Sequence, residues 1–124
     1  MLRKIGFGIV LWAIPYVTAI PLLGLNESDQ LFFKTIMIVE GSIVGAILAA
    51  VYFMSVERDF LREGIMLAVV WIVVNWLHDY GGHVYFTDMP LDRYFLEIGL
   101  RYIAMAAPTV AIGYVMEKRL AAPP

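Results

Sequence analysis

Apolar residues run almost unbroken through segments 5–25, 31–54, 60–79 and 94–116, with short polar stretches between them. A helix crossing a bilayer needs about 20 mostly apolar residues. The pattern therefore predicts an all-α fold, a transmembrane four-helix bundle forming one integral membrane domain over residues 1–124. Short links make sequence neighbours antiparallel, giving an up-down-up-down order. In the first link, LNESDQ, Asn26 or Ser28 is expected to cap the second helix, and Pro90 suits the first turn of the fourth. Pro15, Pro21 and Pro108 each remove an intrahelical hydrogen bond and are expected to allow kinks. Small residues let helix backbones approach closely in lipid. Gly41, Gly45 and Ala49, at four-residue spacing, and Ala107 and Ala111, with Ala104 and Pro108 nearby, are thus the expected packed faces of the second and fourth helices.

Composition explains why the pattern must mean membrane. The chain is 61% hydrophobic and 16% charged, against about 45–50% and about 25% in ordinary soluble domains. A soluble fold of this size leaves about a third of its surface in water, too much for so apolar a chain. The lipid bilayer is the implied partner. The uncharged run from Ile5 to Leu23 exceeds the about 7–15 residues of a signal-peptide core, so it reads as a retained first span.

Lys and Arg, not acidic residues, set orientation. Arg3, Lys4, Arg58, Arg62, Lys118 and Arg119 fall on one side, Lys34 and Arg93 on the other. Both termini are therefore expected in the cytoplasm of a multi-pass cell-membrane protein, and the 80–93 loop outside. Net charge is −2, with no aromatic-plus-basic face for phosphate backbones, which argues against nucleic acid. The chain has no Cys, which removes disulfides, thiolate metal sites and Cys nucleophiles. No phosphate-cradling loop, zincin motif or nucleophile elbow is present, so neither a cofactor nor an enzyme is expected.

The charged residues inside the spans carry the chemistry. An ionisable side chain at mid-bilayer costs at least about 2.5–3.5 kcal/mol and normally faces the protein interior. Glu40 lies ~13 Å into a ~30 Å core, and Arg101 ~10 Å below Tyr94 by the same helical rise. The two are expected to meet across the bundle, with Glu97, one turn from Arg101, as a second carboxylate. Such a trio is either a structural ion network that fixes helix register or a proton or ion relay with Glu40 as the titrating group. Asn75, His78 and Asp79 share one face near the outer end of the third helix, and Lys34 joins them around the outer mouth. Asn75 reads as an interhelical hydrogen-bonder or a substrate contact. His78, Asp79 and His83, followed by Asp88 and Asp92, gather imidazoles and carboxylates suited to zinc, copper or nickel, but at the spacing of no defined metal motif. The alternative is a solvated loop in which Gly81 and Gly82 end the helix. Glu57, Arg58, Asp59, Arg62 and Glu63 read as a solvated connection on the cytoplasmic side.

The runs LWAIPYV, EGSIVGAIL, REGIMLAVVW with NWLHD, and IGLRY together resemble a group of small four-span bacterial and archaeal membrane proteins with no assigned function. That resemblance implies the topology and leaves function open. The reading that follows is a bundle with a polar cavity opening outward, a homo-oligomer that moves an ion or small solute. The alternatives are a non-catalytic accessory or assembly protein and, third, an intramembrane enzyme or outer-face metal binder.

Overall fold

A computed structural model describes residues 1–84 and 87–120, with 83–84 by backbone alone. Among them the chain is all-helical: α1 (Leu2–Ser28), α2 (Gln30–Phe53), α3 (Phe60–Gly82), α4 (Leu91–Gly99) and α5 (Arg101–Leu120). The first three are each long and apolar enough to cross a membrane, while α4 and α5 qualify only as a pair bent by 47°. The start of α1, the α2–α3 link and the end of α5 share one end of the bundle. There the Arg3 guanidinium donates to the Ser55 hydroxyl, and the Glu117 carboxylate accepts from the Leu61 N–H at 3.3 Å.

Three local expectations are corrected. Asp29, rather than Asn26 or Ser28, caps α2, its Oδ1 accepting from the Phe32 N–H at 3.1 Å, because α1 continues through Ser28. Gly81 and Gly82 do not end a helix in the left-handed conformation; the chain runs on through them as a π turn, Tyr80–Val84, and no described Gly has positive φ. The sharp bend falls at Leu100 rather than at a proline. Pro15 and Pro108 lie inside continuous helices and Pro21 sits in a 3-10 turn, Ile20–Leu22.

The bend has a local cause. The Leu100 N–H reaches back to the Phe95 carbonyl at 3.1 Å, and the Ile103 N–H bonds the Leu100 carbonyl at 3.2 Å. The Gly99 carbonyl thereby loses its usual helical partner four residues on. The Trp76 indole N–H of α3 replaces it at 2.9 Å. Away from water such a carbonyl must be satisfied within the protein, so Trp76 makes the break tolerable.

Helix contacts follow the small residues of α2, where Gly41, Gly45 and Ala49 are all buried. A Cβ on Gly45 would come within 3.2 Å of the Met105 carbonyl oxygen on α5. On α5 itself the expected stripe is wrong: Ala104, Ala107 and Ala111 are exposed, and the packed face is Met105, Ala106, Thr109 and Gly113. Backbone approach decides this. A Cβ on Gly64 would lie 2.4 Å from the Thr109 carbonyl oxygen, and one on Gly113 2.4 Å from that of Phe60. Glycines on both α3 and α5 permit this contact, and the Thr109 hydroxyl crosses it to the Gly64 carbonyl at 2.9 Å.

Candidate functional site

In α3, Trp71, Asn75 and Asp79 recur at four-residue spacing, which places them on one stripe. The stripe is turned fully inward, with residue exposures of 1%, 0% and 6%. Asn75 donates from Nδ2 to the Gly8 carbonyl of α1 at 3.3 Å and to the Trp71 carbonyl at 2.7 Å. The α1 backbone comes this close because Gly8 carries no side chain: a Cβ there would sit 3.3 Å from Trp71 and Val74.

One turn further along, Asp79 is a hub. Its Oδ1 accepts from the Trp12 indole N–H at 2.8 Å and its Oδ2 from the Tyr94 hydroxyl at 2.7 Å. Tyr102 of α5 lies beside it as well. An ionised carboxylate accepts only, and both of its oxygens here meet strong donors from two other helices. Trp12 is held in turn by stacking on Tyr16, with ring centroids 4.5 Å apart, and by the His78 ring at 5.0 Å.

A cavity of about 150 Å³ opens against this hub, walled mainly by Trp12, Tyr16, Phe33, Met37, Ile98 and Tyr102. Two charged side chains line it, Asp79 and Arg101. Its size admits several waters or one small solute, below the about 300–1,000 Å³ of pockets for drug-sized ligands. Arg101 makes no ion pair within 4.0 Å and no hydrogen bond among the described residues.

The expected Glu40–Arg101 pair is not formed. Glu40 turns toward α1, where the Thr18 hydroxyl donates to Oε1 at 2.7 Å, and its buried Oε2 has no partner. Arg101 does approach α2 near this turn, since Met37, one turn from Glu40, lines the same cavity. The azimuth differs from the expected one: Gly41 and Gly45 are the α2 residues that meet Met105 of α5, and Glu40, about a hundred degrees before Gly41 on the helix, points elsewhere. Glu97 does not pair with Arg101 either; it is held by Lys34 at 3.6 Å and by Arg93 at 2.5 Å. That bridge ties α2 to α4 at the end opposite the termini. Asp79, expected at an outer mouth, is buried.

His78 sets Nδ1 2.8 Å from the Val74 carbonyl and faces Trp12. The side chain of His83 lies outside the described residues, and among those described no three His, Asp or Glu side chains are placed to hold a metal.

Sequence reasoning missed two groups. Trp12, Tyr94 and Tyr102 gather on Asp79; the available signal was that a buried Trp N–H or Tyr O–H requires an acceptor. The second is Lys4, only 7% exposed, whose ammonium meets Glu63 at 2.9 Å, while Tyr52 donates to the same carboxylate oxygen at 2.5 Å. Glu63 is thus part of a packed cluster joining α1, α2 and α3 rather than of a solvated connection. No family model, curated protein or solved structure matches this chain. Its chemistry rests on the side chains themselves.

Proposed function

We propose that this chain is a four-span membrane protein, with α4 and α5 together as a broken fourth span and both termini cytoplasmic, that binds and moves a small solute through the Asp79–Arg101 cavity. The carrying observation is a carboxylate and a guanidinium lining one otherwise largely apolar cavity. Intramembrane charges are costly and mark solute paths when they face a cavity. Broken spans at a binding site are a recurrent device of transporters. The basic residues gathered at the end shared by Arg3 and the α2–α3 link support the cytoplasmic assignment. Function as a homo-oligomer is supported by the exposed small residues Ala104, Ala107 and Ala111, which offer a face on which copies can pack.

A second reading, a non-catalytic accessory protein, is favoured by one specific observation: both Asp79 oxygens are already satisfied, which suits a carboxylate that only ties helices together. Flux in proteoliposomes separates the two. Protons, alkali cations, halides and small organic acids are screened with the native chain and with Asp79→Asn and Arg101→Gln. Solute-specific flux that falls sharply in folded variants is the expected result. A native chain inert to every solute, or variants that transport like it, rejects the transport reading in favour of the accessory one.

A further inference from the structure

The two charges in the cavity are not equivalent, and their difference indicates what the cavity takes. Asp79 has one donor on each oxygen, the Trp12 indole N–H at 2.8 Å and the Tyr94 hydroxyl at 2.7 Å. Both donors belong to the bundle, so both carboxylate oxygens are satisfied with no ligand present. Arg101 is the converse. Its guanidinium carries five N–H donors in a flat fork and stays protonated in any protein setting. Yet among the described residues its side chain forms no hydrogen bond, and no carboxylate pairs with it within 4.0 Å. Glu97, the carboxylate one turn away, is engaged by Lys34 and Arg93, and Glu40 faces Thr18. The valence left open in the cavity is therefore that of a fork-shaped cation.

The walls specify the rest of the ligand. Trp12, Tyr16, Phe33, Tyr102 and Met105 surround the same space. These present flat or flexible apolar surface, suited to a hydrocarbon or aromatic body rather than to a hydrated inorganic ion. A planar carboxylate matches a guanidinium fork with two parallel N–H···O bonds, and an apolar tail then displaces water from the aromatic walls.

We propose that the Asp79–Arg101 cavity binds a small organic monocarboxylate, its carboxylate on Arg101 and its apolar body against the Trp12–Tyr102 walls. Asp79 acts as a positioning residue, fixing Trp12 and Tyr94 and repelling a carboxylate bound the wrong way round. This specifies the ligand class of the site proposed above and rests on that reading.

The test is a set of ligands that differ in charge and share a body: benzoate, benzamide and benzylamine, titrated by calorimetry and Trp fluorescence into the native protein in lipid nanodiscs. Benzoate is expected to bind, benzamide to bind about tenfold or more weakly, as expected for loss of a charge-assisted bidentate contact, and benzylamine not at all. Arg101→Gln is expected to abolish the preference for benzoate over benzamide, and Arg101→Lys to keep part of it. The ligand series on the native protein needs no variant to fold. Benzylamine binding in preference to benzoate overturns the anion inference and leaves a solute site, with Asp79 as its anchor. Binding by none of the three, in a protein that transports some other solute, also overturns the anion inference alone. No binding together with no flux overturns both.

Discussion

Replacing Gly64 with Ala tests the close backbone approach of α3 and α5. The added Cβ would lie 2.4 Å from the Thr109 carbonyl oxygen and 3.1 Å from its carbon, where real Cβ contacts essentially never fall below 3.0 Å. The obstacle is backbone, so no rotamer change relieves it and α3 must move away from α5. Overpacking of this kind costs about 1–3 kcal/mol. The shift also stretches the bond from the Thr109 hydroxyl to the Gly64 carbonyl, now 2.9 Å, and interhelical hydrogen bonds in membranes contribute about 0.6 kcal/mol on average. The matched control is Gly6→Ala, where the new methyl meets nothing within 4 Å. Mid-helix Gly-to-Ala changes without a clash are expected to stabilise by about 0.5–1 kcal/mol. Gly64→Ala shares that gain, so the two variants should separate by the clash and the stretched bond alone, roughly 1.5–3.5 kcal/mol, in reversible SDS-driven unfolding from mixed micelles, followed by circular dichroism. Equal stabilities for the two would refute the α3–α5 approach and the packed face of α5 with it.

At the same end of α3, Lys4→Met and Glu63→Gln should each destabilise by about 1–3 kcal/mol, less than the loss of a fully buried pair because the Glu63 side chain is 26% exposed, and the double variant by less than their sum, because a lone charge shielded from water is worse than none; additive losses would show that the 2.9 Å contact is not a working pair. For Glu40→Gln and Arg101→Gln the opposite holds. With Glu40 on Thr18 and Arg101 in the cavity, their effects on folded yield should add within about 0.5 kcal/mol, and strong coupling would restore the direct pair. Topology is read by impermeant thiol labelling in intact cells: Thr87→Cys should react and Ser55→Cys, also at an exposed position, should be protected, the reverse pattern inverting the assignment.

The sequence alone carried the helical class and three of the apolar spans, because hydropathy and helix length depend only on residue order and on the thickness of the bilayer. Rise per residue is fixed as well, and Arg101 and Met37, one turn from Glu40, do border one cavity. What the sequence could not carry is rotation about each helix axis. In lipid both faces of a span are apolar, so no polar stripe marks the inner side, and azimuth is set by which backbones can touch. Gly64 and Gly113 against Thr109 and Phe60 turned α5 so that Ala107 and Ala111 face outward. The same principle turned Glu40 to Thr18 instead of Arg101, and brought Trp12 of α1, Tyr94 of α4 and Tyr102 of α5 onto Asp79 of α3. The bend between α4 and α5 lay beyond the sequence for a related reason. Its bend at Leu100 depends on a carbonyl acceptor for Trp76, a long-range bond that no local propensity of α4 or α5 encodes.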